Sequence, residues 1–180
     1  CIEKIQQQAL ACVHAVHQRS FMNLNAECFE QKFDAIVCLD ALYHYDLKKF
    51  IAQIPALLQS RGRIGFHYLL FNDNWSKASF LSKQRDQYLL KLADVQLQHL
   101  MYQTELEYVL TQHGFEQIQI QILSEPVLGG FAQYVQQELH LHGFQHDLNA
   151  LKIQMTAKLC QKLFEQGIVR YAQITAIKDI

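Results

Sequence analysis

The stretch that decides the fold is Phe33-Asp34-Ala35-Ile36-Val37-Cys38-Leu39-Asp40-Ala41-Leu42-Tyr43-His44-Tyr45. Its almost continuous apolar run, Phe33 to Leu39, reads as a strand of a parallel sheet covered on both faces. The run ends in a polar, aromatic lip. Asp46 then caps a helix whose apolar positions Leu47, Phe50, Ile51, Ile54, Leu57 and Leu58 recur at three and four. Gly62 is placed to supply a left-handed stop, and Ile64 to Phe71 forms the next buried strand. A strand-helix-strand unit belongs to an open α/β sheet, where ligands bind at the carboxyl ends of the strands.

Working outward, Glu3 to about His17 has one apolar helical face (Ile5, Ala9, Cys12, Val13, Val16), and Phe21 to Leu24 reads as a short strand closed by Asn25-Ala26-Glu27. Downstream, Asn72-Asp73-Asn74 is a turn signal, and a helical insert covers about 75–100, with Phe80, Leu81, Tyr88, Leu89, Leu92 and Val95 on one side. Thr104-Glu105-Leu106-Glu107 reads as a capping box opening a helix that ends at His113-Gly114-Phe115. Ile118 to Ile122 alternates strictly, which marks a strand near an edge or covered on one side. Pro126 and Gly129-Gly130 break the chain into a hinge-like loop. A helical segment covers about 131–166, and Gly167 precedes a last strand from Ile168 to Ile177. The expected architecture is a single domain over 1–180 with a mostly parallel sheet and helices on both faces.

Half of the 180 residues are apolar, and the formal net charge is −1. This balance excludes a disordered chain, and the scattered basic residues give no nucleic-acid footprint. No apolar run is long enough to span a bilayer, so no membrane span is expected. The five cysteines include no C-x-x-C pair, which points to reduced structural thiols and a cytoplasmic protein. His140, His142 and His146 read as a polar patch, and no metal site is expected. The chain opens on Cys1 with no Gly-rich loop before it, and reads as the later part of a larger, N-terminally incomplete domain.

The chemistry-bearing residues gather at strand ends. Asp40 can receive an ammonium group, and His44 can accept a proton because imidazole titrates near neutrality. The structural alternative has Asp40 bonding its own turn and His44 packing on Tyr45. His67 and Tyr68 read as core residues. Asn25-Ala26-Glu27 is a turn that can face a ligand.

Together, Asn25-Ala26-Glu27, the Phe33–His44 stretch, Gly62-Arg63-Ile64, His113-Gly114-Phe115 and Tyr171–Lys178 resemble the later two-thirds of a class I S-adenosylmethionine-dependent methyltransferase of the small-molecule type. The resemblance implies a Rossmann-like, seven-stranded sheet whose last strand is antiparallel. It implies S-adenosylmethionine as cofactor, with Asn25 and Ala26 at the adenine, Leu39 and Asp40 near the methionine moiety, and Glu3 at the ribose. It implies a small-molecule or lipid-like methyl acceptor, with His44 as base and Tyr43 as a positioning group. The family's first strand and Gly-x-Gly loop are absent from this sequence, so weak or no activity is expected from this chain alone. The alternative is a non-catalytic interaction or scaffold protein that kept the fold. An exposed sheet edge makes oligomers an expectation in either case.

Overall fold

The structure, a computed structural model, describes residues 13, 20–24, 26–142 and 148–180. The predicted helix over Glu3–His17 lies outside them except for Val13. Among the described residues four strands form one sheet: β1 (Phe33–Cys38), β2 (Leu58–Phe71), β3 (Phe115–Ile122) and β4 (Val169–Lys178), in the order β1-β2-β4-β3. β1 is parallel to β2, and β4 runs antiparallel to both β2 and β3. Three strands therefore point one way and only the last is reversed, as expected.

Helices α1 (Leu47–Leu57) and α3 (Gln103–Gln112) cover one face. Ile64, Phe66, Tyr68 and Leu70 of β2 and Ala172, Ile174 and Ala176 of β4 point into their shared core. The alternate residues Leu69, Phe71, Val169 and Tyr171 meet a second core built from α2 (Phe80–Leu92) and α5 (Leu148–Gln166). Each large apolar side chain removed from water in these cores contributes about 1.5–3 kcal/mol before the entropy of ordering is subtracted. α4 (Gly130–His142) packs beside α5.

Several local expectations are corrected. Phe21–Asn23 is a 3₁₀ turn, because the Ser20 hydroxyl accepts from the Met22 N–H and curls the chain there. β1 is not covered on both faces: it is an edge strand among the described residues, and Val37 is 66% exposed. An open trough of about 490 Å³ lies along Ala35, Val37, Arg63, Gly65, Gln119 and Thr175 on that side of the sheet. α1 passes directly into β2 at Leu58, so Gly62 sits inside a strand rather than at a helix stop. The left-handed residue is Arg61, φ 62°. Gly62 is required by close approach: a Cβ there would lie 3.0 Å from the Gln59 carbonyl oxygen.

The insert is not one helix. It comprises a 3₁₀ turn (Asp73–Lys77), α2, a left-handed break at Asp94 (φ 55°) and a second 3₁₀ turn (Leu97–His99). Of its predicted apolar side, Leu89 and Val95 are buried, whereas Phe80, Leu81, Tyr88 and Leu92 face solvent. The excursion leaves β2 and returns at the same end, where the Phe71 N–H donates to the Met101 carbonyl (2.9 Å). α3 begins at Gln103 with Tyr102 as its N-cap, so Thr104 lies within the helix and forms no capping box. Pro126 and Gly129 do not break the chain: Glu125–Gly129 is a π-helical turn that runs on into α4. Pro126 is tolerated there because a first-turn N–H has no helical partner to lose.

Candidate active site

β1 ends at Cys38, and two residues later Asp40 takes a left-handed conformation (φ 54°). Asp adopts this region more readily than most residues, although it remains a costly one. The Tyr171 hydroxyl donates to Asp40 Oδ1. The same hydroxyl oxygen lies 2.6 Å from His67 Nδ1, which is 3.5 Å from Asp40 Oδ1. Three neighbouring strands therefore each bring one polar group to a single cluster: Asp40 just past the end of β1, His67 within β2 and Tyr171 near the start of β4. Tyr171 is only 3% exposed, and its backbone is fastened twice: its N–H donates to Ser124 Oγ (2.9 Å), and its carbonyl accepts from the Leu123 N–H (2.7 Å).

Tyr43 stands in the 3₁₀ turn after Asp40 and packs against both cores. Burial, reinforced by the charge of Asp40 and by Cys160, pushes its phenol up to about 12. Burial, then the bond to Asp40, drives the Tyr171 phenol upward as well. Both phenols are protonated at neutral pH and act as neutral hydrogen-bonding groups. Burial also raises the Cys160 thiol, half-buried on α5, and favours its neutral form.

The other predicted site residues are distributed differently. The His44 ring stacks obliquely on Tyr43 (centroids 4.5 Å apart). Its Nδ1 donates to the Asp94 carbonyl (2.8 Å), and its own carbonyl accepts from His99 Nδ1 (3.0 Å), so it is tied to the insert. Leu39 is 60% exposed beside Asp40. Ala26 is half-buried against the core beneath α1 and α3. Asn25 and Glu3 lie outside the described residues.

The polar cluster contains two residues that the sequence reading did not assign to it. Tyr68 is core, as expected, with its hydroxyl donating to the His99 carbonyl. His67 is not simply a core residue: its side chain is 19% exposed and meets Tyr171. The signal was the alternation of β2, which turns His67 away from the face that buries Phe66 and Tyr68. The same alternation puts Tyr171, Gln173 and Thr175 on one side of β4.

No protein-family model matches the chain, and no curated protein matches it. Solved structures do. A Galdieria sulphuraria protein described as a sarcosine dimethylglycine methyltransferase superposes with a TM-score of 0.75 at 16% identity, covering 98% of this chain and 64% of its own. The fold is that of the S-adenosylmethionine-dependent methyltransferases. Haemonchus contortus phosphoethanolamine N-methyltransferase 2, solved with phosphomonomethylethanolamine and S-adenosylhomocysteine, gives 0.65 at 15% identity, covering 87% of this chain and 36% of its own. The cyclopropane synthase MmaA2 of Mycobacterium tuberculosis gives 0.60 at 18%, covering 85% and 58% respectively. The chain thus spans between about a third and two-thirds of the methyltransferase-fold proteins it matches. Against that fold, the cluster sits where ligands of open α/β sheets bind, at the carboxyl ends of the co-directional strands.

Proposed function

We propose that this chain carries part of the site of an S-adenosylmethionine-dependent methyltransferase acting on a small-molecule or lipid-like acceptor. The observation that carries the reading is the convergence of Asp40, His67 and Tyr171 at the carboxyl edge of a methyltransferase-fold sheet. The cofactor supplies an electrophilic methyl group on a sulfonium. The residues present fit it: the Asp40 side chain is 60% exposed, and one of its oxygens is free of Tyr171 to meet the ammonium of a methionine moiety. Leu39, equally exposed, offers an apolar wall next to it. Ala26, with Asn25 and Glu3, is assigned to the adenosine end by the family resemblance alone.

In-line attack asks the protein chiefly to align the reactants and exclude water. Tyr43, held neutral, positions an acceptor by hydrogen bonding. The acceptor's proton goes to an imidazole at the strand ends, where both His44 and His67 stand. A cytoplasmic setting fits the free thiols of Cys38 and Cys160. No helix among the described residues is long and apolar enough to cross a membrane.

Titration calorimetry with S-adenosylmethionine and S-adenosylhomocysteine, on this chain and on a form extended upstream, tests the reading. Binding by the extended form, with or without binding by this chain, is the expected result. Failure of both ends the enzymatic reading and leaves the scaffold alternative.

A further inference from the structure

The proton positions in the Asp40–Tyr171–His67 cluster follow from valence. A phenolic hydroxyl has one proton, and the Tyr171 hydroxyl gives it to the Asp40 carboxylate, which can only accept. The 2.6 Å contact to His67 must therefore be a bond donated by Nδ1 to the Tyr171 oxygen. In a neutral imidazole this leaves the lone pair on Nε2. That atom has no hydrogen-bond partner among the described residues and is open to solvent.

His44 also bears a proton on Nδ1, and the two histidines differ in what stands behind that proton. Behind His44 is a backbone carbonyl, with the Asp94 carboxylate no closer than 4.0 Å and 97% exposed. Behind His67 is a buried hydroxyl already aligned on a carboxylate. His67 is thereby held in one orientation, its Nδ1–H directed at a hydroxyl that is itself aligned on a carboxylate.

The groups facing the cluster are Asp40 from β1, Tyr171 from β4, Tyr43 from the 3₁₀ turn and, beyond it, Cys160 from α5. Only Asp40 is charged. Arg170, the nearest basic residue along β4, is turned to Asp73 (3.6 Å). Asp40, with its side chain 60% exposed, can also attract a cationic acceptor, and no described cation faces the cluster to attract an anionic one.

We propose that His67, held by Tyr171 and Asp40, is the catalytic base, and that the acceptor is a small amine that arrives as an ammonium ion. An ammonium near pKa 10 is within reach of an imidazole, whereas an aliphatic alcohol is far above it. The ammonium proton passes to His67 Nε2. The freed nitrogen lone pair forms the N–C bond to the methyl carbon as the C–S bond breaks and its electron pair stays on sulfur. The imidazolium returns its proton to water after product leaves. This inference rests on the methyltransferase reading above.

Two measurements test it. Ring ¹⁵N NMR on this chain, without ligand, is expected to show His67 protonated at Nδ1 with Nε2 unprotonated, a single tautomer lost in Tyr171→Phe. An Nε2–H tautomer in the unsubstituted chain, or no change in Tyr171→Phe, overturns the relay whether or not the cofactor binds. In the cofactor-binding form, His67→Gln should lower kcat for amine methylation by about 10²–10⁴-fold. S-adenosylhomocysteine affinity should be unchanged, and added imidazole should restore part of the rate. Loss confined to His44→Gln, or methylation of hydroxyl acceptors but not amines, overturns the assignment. Absence of S-adenosylhomocysteine binding in every form overturns the methyltransferase reading itself, and the NMR result still decides the relay.

Discussion

The Tyr171 hydroxyl reaches the Asp40 carboxylate across 131 residues of chain, linking the exposed edge strand to the last strand of the sheet. Because the ring is buried, Tyr171→Phe keeps the packing and removes only the bond. Asp40 and His67 Nδ1 both lose a partner, which costs about 1–3 kcal/mol. Urea unfolding should show a lower midpoint at unchanged slope.

The raised phenols make stability fall in alkali. An unfolded tyrosine loses its proton near pH 10, whereas folded Tyr43 holds its own to about 12, with Tyr171 shifted the same way. Between those values the folded state binds more protons than the unfolded state, so their contribution is intact below about pH 10 and declines as pH rises toward 12. Urea midpoints taken from pH 8.5 upward should drop less steeply in Tyr43→Phe than in the unsubstituted chain.

Gly62 and Gly65 lie three residues apart in one strand and should respond differently to alanine. At Gly62 the new methyl meets the Gln59 carbonyl at 3.0 Å and Leu58 Cβ at 3.1 Å, both close to the main chain. Relief requires a backbone shift costing about 1–3 kcal/mol. At Gly65 the nearest atom is Thr175 Cγ2 at 3.9 Å, an ordinary contact. Thermal melts should therefore separate Gly62→Ala from Gly65→Ala.

Two caps read from sequence should differ on truncation. Asp46 Oδ1 accepts from the Lys48 and Lys49 N–H groups, so Asp46→Ala should cost about 1 kcal/mol. Thr104 has no capping bond, and Thr104→Ala should stay within about 0.5 kcal/mol. Denaturant midpoints of the two variants check this.

The edge that β1 forms among the described residues should support self-association. β1 pairs only with β2 among the described residues, and Val37 and Leu39 are largely exposed. An unpaired apolar edge is a template for a second chain, and a lysine on it opposes pairing. Size-exclusion chromatography over a concentration series should show association that Val37→Lys reduces.

The fold was legible in the sequence where one periodicity dominated a whole element. α1 declared itself through Leu47, Phe50, Ile51 and Ile54, all of which are buried, and β3 through its strict alternation. The insert was misread because Phe80, Leu81, Tyr88 and Leu92 have helical spacing without burial, and spacing alone does not say which face meets the core. The Gly129-Gly130 pair was read as a break because its local freedom is visible and its neighbours are not. A Cβ at Gly129 would lie 3.3 Å from the Phe164 ring, so this glycine serves a tight helix contact. Asp40 was legible as a strand-end polar residue because it follows an apolar run. Its partners were not: Tyr171 and His67 look like ordinary strand residues until pairing brings the strands together.

β4 lies between β2 and β3, which are joined to each other only through it. On the ribosome, everything from β1 to α5 is made before the piece that unites the sheet exists. Until Val169–Lys178 emerges, the inner side of β2 and the whole of β3 are unpaired and sticky. Loss of this one strand would split the described sheet in two, leaving β3 with no partner strand.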